Sequence, residues 1–554
     1  MKRHRNTALA VILCLPLLAG GFMLQERSSR EGARLFDQVM TLVSERFVDT
    51  LDRGTLYERA ARGLIDELND PYTQLLSPRE YQRFNTTTGG RYGGIGMQIE
   101  DQQGTITVSR VFPHTPAENA GVIEGDRIVA VEGTPTRGWR LDQTSDSLLG
   151  TPGTKVNVRF QRPGVNSPIN VQFTRAVITI PAVPFALMLD GGIGYVPLQQ
   201  FNESASGDLE REMTRMVREG ARGFILDLRG NTGGILDQAL EVSNLFLRQN
   251  QEIASIRGRG LPAQRFVTEK RPAIPTTPLI ILTDGQTASA SEIVAGALQD
   301  HDRALIVGTT SFGKGLVQNV WRLDGGYALK MTTAKWFTPT GRSIQKERII
   351  GPEGRFVEVD PDSSALERLR ARYTERGDTA PATFSDDEIR SAIREARPEV
   401  RTDGGRTVYG GGAITPDVIV SADTFSTGAQ ALARSVAPQG QLVYVGSKSY
   451  ALELKPAVTS PDFTISQAWR DELYRRLTAA GVTVDRTVWN EGAEWVDYQL
   501  GRDLARVAFG DTAAKKRDLA SDAQLRRAIE LLGQGRTQED LFVIAQGTRA
   551  TGGR

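Results

Sequence analysis

Residues Phe224 to Leu247 read FILDLRGNTGGILDQALEVSNLFL. The run Phe224–Leu228 is apolar and of strand length, as a strand buried on both faces requires, and Ile235–Leu247 repeats apolar residues at helical spacing. Gly230, Gly233 and Gly234 lie between them, in a tight strand-to-helix turn. The same order returns downstream: Leu279–Leu282 reads as a strand, Ser289–Asp300 as a helix and Ala304–Val307 as a strand. Strand and helix alternating in this way predict an α/β core with a substantially parallel sheet over residues 178–346.

The flanks read differently. Upstream, residues 30–88 are helical in pattern, with Leu35, Phe36, Val39, Leu42, Val43 and Phe47 on one face, and Asp70-Pro71 ends the second helix. Residues 91–175 break into short β-like runs, Gly96–Ile99, Thr105–Val108, Arg127–Val131 and Lys155–Phe160, with one helical piece at Asp142–Leu149. Downstream, Glu347–Tyr409 is charged and punctuated by Pro and Gly, and its Arg368–Arg376 run reads as a solvated helix. A strand-like Val418–Val420 follows, then helices over 426–554, where Val496, Leu500, Leu504 and Val507 share a face that serves a core or an oligomer contact.

The 554 residues suit several domains, and 67 Lys+Arg against 66 Asp+Glu leave a net charge of +1, which argues against a nucleic-acid partner. One cysteine, Cys14, excludes an internal disulfide and a Cys-based metal site, and three histidines (His4, His114, His301) make a multi-His centre a poor fit. No metal or cofactor is expected. Lys2, Arg3 and Arg5 precede an uncharged apolar run, Ala8–Leu24, which is the pattern of an export signal. Ala19 and Gly21 suit a signal-peptidase site, but the run is also just long enough to stay as a membrane anchor. The body is expected outside the cytoplasm, in the periplasm or anchored facing it.

Three Gly- or Ser-rich turns each follow a strand of the core. In Asp227–Gly234 adjacent glycines let backbone N–H groups face a developing oxyanion; an ordinary tight turn reads the same way. In Thr287–Glu292 small alanines flank Ser289 at a helix start, suiting a nucleophile and equally an N-cap. Gly308–Gly315 nearly matches a phosphate-binding loop, but Gly315 stands where the magnesium-binding Ser/Thr belongs. Lys314 then reads as a base for Ser289. A lysine serves when desolvation lowers its pKa from about 10.4 to about 7–8. His301 follows the serine helix in a polar turn and suits the task poorly. Gln318, four residues after Lys314, is placed to orient the amine.

Taken together, Thr287–Asp300 (TASASEIVAGALQD), Ser311–Gln318 (SFGKGLVQ), Asp227–Gly234 (DLRGNTGG) and Phe337–Gln345 (FTPTGRSIQ) resemble the carboxyl-terminal processing peptidases, and Arg91–Phe160 resembles their PDZ domain. The resemblance spans residues 30–425. It implies a crotonase-like α/β serine endopeptidase, with Ser289 as nucleophile, Lys314 as general base, Gln318 as orienting residue and the N–H groups of Gly233 and Ala290 as oxyanion donors. It also implies a PDZ domain in which Gly93, Gly94, Ile95 and Gly96 cradle a substrate's terminal carboxylate while the chain adds as a β-strand. Thr232 and Thr309 depart from the usual residues, Leu149 replaces a frequent Arg, and the insertion 347–411 separates motifs that adjoin in shorter relatives.

The expected organisation is therefore 1–27 signal peptide or anchor, 28–88 helical segment, 89–177 PDZ domain, 178–425 protease core and 426–554 helical region. Expected partners are protein substrates bound by their C-termini, with an adaptor protein and a homo-oligomer both compatible. Membrane association through residues 8–24 follows if that segment is retained. The competing readings are a non-catalytic PDZ scaffold and a P-loop protein; Ser289, Lys314 and Gln318 oppose the first, and Gly315 opposes the second.

Overall fold

The computed structural model describes residues 30–102, 104–162, 165–260, 262–346, 397–423 and 425–551, with short pieces between 347 and 396. The export segment and most of the insertion lie outside the described residues. The chain forms two compact units, one of residues up to Tyr81 with Gln318–Thr332, the other of Gln82–Val317 with Thr333 onward.

The smaller unit carries a helix over residues 30–46 and a second over Arg53–Asp66, capped by the Asp52 carboxylate, which accepts from Thr55 N–H. A short strand that the helical pattern does not announce, Gln74–Leu76, pairs antiparallel with Ala328–Lys330. Arg62 Nη1 donates to Leu75 O at 3.0 Å, and Tyr327 donates to Glu58 Oε2 at 2.7 Å.

In the larger unit a six-stranded sheet runs Leu187–Leu189, Ile193–Pro197, Gly223–Asp227, Leu279–Thr283, Leu305–Gly308 and Val418–Ile419. The first pair is antiparallel and the rest are parallel. Every residue of Gly223–Asp227, Leu279–Thr283 and Leu305–Gly308 is buried, which is why these strands read as unbroken apolar runs. Helices Ala205–Arg218, Leu236–Asn244 and Ala290–Asp300 cover one face. The other face is covered by the last two helices, Ala523–Gln534 and Gln538–Thr551, through Leu525, Ala528, Leu531, Leu541 and Phe542. Each large side chain buried there contributes about 1.5–3 kcal/mol. These helices therefore belong to the core that holds the three turns. The helices from Thr427 to Phe509 form a separate apolar cluster around Trp489, Val496 and Leu500.

Residues 97–174 form an antiparallel sheet in the order Met97–Gln102, Thr105–Val111, Arg127–Val131, Lys155–Gln161, Ile169–Thr174. Lys155–Gln161 alternates exposed and buried side chains, as a strand with one solvated face does. Helix Leu141–Leu148 packs beside Met97–Gln102, which among the described strands pairs on one side only and is an edge. A ladder between Arg91–Gly94 and Ala176–Thr179 joins the domain's ends. Glu124 reaches the helical cluster, 3.4 Å from Arg506 and 3.6 Å from Lys448.

Candidate active site

The three turns follow adjacent parallel strands, at their carboxyl ends, where an open α/β sheet places ligands. Their proximity is a consequence of strand order and not of sequence separation.

Ser289 stands between strand Leu279–Thr283 and helix Ala290–Asp300 with φ 56° and ψ −114°. A non-glycine residue pays about 1–3 kcal/mol for such a conformation, and only surrounding bonds can hold it. They are present: Ser289 N–H donates to Glu292 Oε2 at 2.8 Å, Ala288 N–H to Asn231 O at 3.0 Å, and Thr287 Oγ1 to Leu228 O at 2.9 Å. Ala290 N–H is the first of the helix and has no acceptor within it.

Gly233 lies against this elbow. At φ 98°, a Cβ there would fall 2.8 Å from Ala288 O and 2.9 Å from both Ala290 N and Ser289 Cβ, so only glycine fits. Its N–H donates to Asn231 Oδ1 at 2.9 Å, so a substrate oxygen must share or displace that acceptor. The turn is anchored from behind. Asp227 accepts from Tyr195 OH at 2.7 Å and from Arg229 Nη2 at 2.6 Å, and Arg229 continues to Asp522 Oδ2 at 2.7 Å and Gln524 Oε1 at 2.9 Å. Burial, then Asp227, pushes the Tyr195 phenol up. Asp522 also caps the helix Ala523–Gln534.

The lysine turn meets the serine helix at Glu292. This carboxylate is fully buried and accepts from Ser289 N–H, Gly313 N–H at 2.6 Å, Lys314 N–H at 2.9 Å and Ser311 Oγ. Desolvation raises its pKa above the ordinary value, and the four donors oppose that shift. One side chain thus fixes the backbone of the Ser289 elbow to the backbone of Lys314. In the sequence Glu292 reads only as helix-start chemistry; its bonds to residues 311–314 are tertiary and leave no local signal.

The remaining motifs clamp this arrangement. Arg342 pairs with the fully buried Asp300 at the far end of the serine helix, and Thr340 N–H donates to Asp300 Oδ2 at 3.0 Å. Gln345 Oε1 accepts from Gly315 N–H at 3.0 Å, and a Cβ on Gly315 would sit 2.6 Å from Gln345 N. Gly315 is therefore glycine for space, which accounts for the departure from a phosphate-binding loop. Lys346 places its ammonium 4.4 Å from the Phe312 ring centre.

Ser289, Lys314, Gly233 and Ala290 all belong to the larger unit, Ser289 and Lys314 being partly buried. Gln318 belongs to the smaller one, where its Nε2 lies 3.4 Å from Thr332 Oγ1. His301 is one helix length from Ser289, about 18 Å along the axis. Its Nδ1 lies 2.6 Å from Asp403 and its Nε2 2.7 Å from Glu252 O, so both nitrogens are engaged there. Among the described residues, no cluster of three or more His, Cys, Asp or Glu could hold a metal ion. No helix among them is long and apolar enough to cross a membrane.

In the PDZ region Gly93 and Gly94 pair with Val177 and Ala176, and a Cβ on Gly93 would collide with Gly150 O. Ile95 is buried and its carbonyl accepts from Ala117 N–H at 2.8 Å. Gly96, at φ 87°, turns the chain into the edge strand with Thr115 packed against it. Burial pushes the Tyr92 phenol up to about 12.

Comparison with known proteins identifies the family of the chain. Residues 192–361 match peptidase family S41, and residues 107–162 match the PDZ domain. A carboxy-terminal-processing protease of Bartonella bacilliformis is 36% identical over 374 residues, which cover 67% of this chain and 82% of that protein. The carboxy-terminal processing protease CtpA of Bacillus subtilis is 31% identical over 378 residues, covering 68% and 80%. A solved photosystem II D1 C-terminal processing protease is 30% identical, covering 55% of this chain and 82% of its own, with a TM-score of 0.34. The chain belongs to the carboxy-terminal processing proteases of peptidase family S41, which are serine-type peptidases, and it carries their PDZ domain.

Proposed function

We propose that this protease is exported and cleaves cell-envelope proteins that its PDZ domain recognises by their C-termini. Ser289 attacks the scissile carbonyl, Lys314 takes its proton and returns it to the leaving amine, and Gln318 orients the lysine. The N–H groups of Ala290 and Gly233 meet the oxyanion. The observation that carries the reading is Glu292, whose buried carboxylate joins the strained Ser289 elbow to the Lys314 backbone. The basic start and apolar Ala8–Leu24 run support placement in the periplasm, free or membrane-anchored. Protein substrates are the expected partners, and an adaptor or a second copy is compatible with the exposed apolar residues Leu35, Leu42 and Leu64.

Two measurements test this. Cells carrying Ser289→Ala should accumulate a defined set of envelope proteins with unprocessed C-termini; an unchanged envelope proteome contradicts the assignment. A peptide with a free C-terminus should bind Ser289→Ala protein more tightly than its C-terminal amide by about 5- to 150-fold, because amidation leaves buried N–H donors unmatched at about 1–3 kcal/mol. Equal binding would remove the carboxylate cradle and leave the protease reading intact.

A further inference from the structure

Beyond the carboxylate cradle, and resting on the reading that Gly93–Gly96 receives a C-terminus, we infer a second subsite that reads an apolar or aromatic side chain four to five residues upstream of the terminal carboxylate. The cradle lies at the start of the edge strand Met97–Gln102, whose outer side has no partner strand among those described. A tail that begins there and pairs with that edge must run antiparallel to it, toward Asp101. The distance from Gly96 to Asp101 is about 17 Å, and an extended tail covers it with five residues.

The helix Leu141–Leu148 forms the other wall and runs the opposite way. Its last turn adjoins the cradle: Gly150 N–H donates to Gly93 O at 3.0 Å, and Leu149 Cδ2 stands 3.6 Å from where a Gly94 Cβ would be. Its first turn lies at the far end, beside a cavity of about 720 Å³ lined by Arg83, Asp101, Trp139, Arg140, Leu141 and Asp142. A tail leaving the groove must pass this cavity.

The lining determines what it selects. Its two basic and two acidic side chains balance, and they are already engaged. Arg140 pairs with Asp142 at 3.1 Å, Arg83 with Asp146 at 2.6 Å, and Asp101 accepts from Gly104 N–H at 2.6 Å. What remains is the Trp139 indole and Leu141, which is 38% exposed. An apolar or aromatic residue gains contact there without breaking an ion pair, whereas a charged residue gains no net field.

The test uses full-length Ser289→Ala protein and fluorescent peptides that share their last three residues. In seven-residue peptides, Phe or Leu at the fourth or fifth upstream position should bind about 5- to 30-fold tighter than Gly, with Lys and Asp near Gly. Trp139→Ala should abolish that gain and leave binding of the three-residue peptide unchanged. Because Trp139 is partly buried, Leu141→Gln, at an exposed position, supplies a second variant and should reduce the same gain. A gain that survives both substitutions, or that follows charge, overturns the subsite. If acid and amide forms of the short peptide bind alike, the cradle fails, while the Trp139 effect still judges the subsite separately.

Discussion

Lys314→Ala is expected to lower kcat by at least about 10²–10⁴ while the protein stays folded, since a serine hydroxyl without its positioned base is a poor nucleophile. Lys314→Arg should fail comparably, because a guanidinium does not give up its proton at working pH. The backbone supports a clean result: Lys314 N–H is held by Glu292, and Lys314 O accepts from Trp336 Nε1 at 3.2 Å. Neither bond involves the substituted side chain. Activity within a few-fold of wild type would move the base elsewhere. His301→Ala should keep near-normal activity, its ring being engaged with Asp403 and Glu252 at the other end of the serine helix.

Glu292→Gln is expected to cost about 10² in kcat with little change in KM. Four donors face this carboxylate, and an amide offers one acceptor while turning its own N–H₂ toward N–H groups. Each buried donor left unmatched costs about 1–3 kcal/mol, and the turns will shift to avoid it. A displacement of about 1 Å at the reacting groups is enough to cost about 10² in rate. The same geometry sets the sign of a pH effect. Burial holds the Glu292 pKa above the ordinary carboxylate value, so the carboxylate is fully present only at higher pH than a solvated glutamate requires. As pH falls through that raised value, the protonated acid gains an O–H donor of its own and can no longer accept from all four donors at once. Wild-type kcat should therefore decline on the acid side starting above the usual glutamate range, with unfolding monitored in parallel. A Glu292→Gln enzyme within about threefold of wild type would show that Glu292 only caps the helix.

The core strands and the serine helix were legible because complete burial writes itself as apolar runs, as in Leu279–Thr283. The turns that carry Ser289, Lys314 and the first-turn glycines stood out because small residues and a lone lysine interrupt those runs. Strands Glu252–Gly258 and Ala328–Phe337 were not, since many of their side chains are only partly buried and the alternation is broken. The helices Ala523–Gln534 and Gln538–Thr551 fall in a region that reads as helical, but nothing local says that they pack on the sheet and that Asp522 meets Arg229. Glu292 is the sharpest case. Three residues after Ser289 it is ordinary helix-start chemistry, and its second role exists only because strand order brings residues 311–314 beside it.

The most direct test of the account is the rate at which a serine-directed fluorophosphonate labels the protein, with the modified residue located by mass spectrometry. The Ser289–Lys314 assignment predicts labelling at Ser289 in the wild type, at a rate that falls at least about 10²-fold in Lys314→Ala and is lost in Ser289→Ala. Labelling of another serine, or an unchanged rate at Ser289 without Lys314, would contradict it.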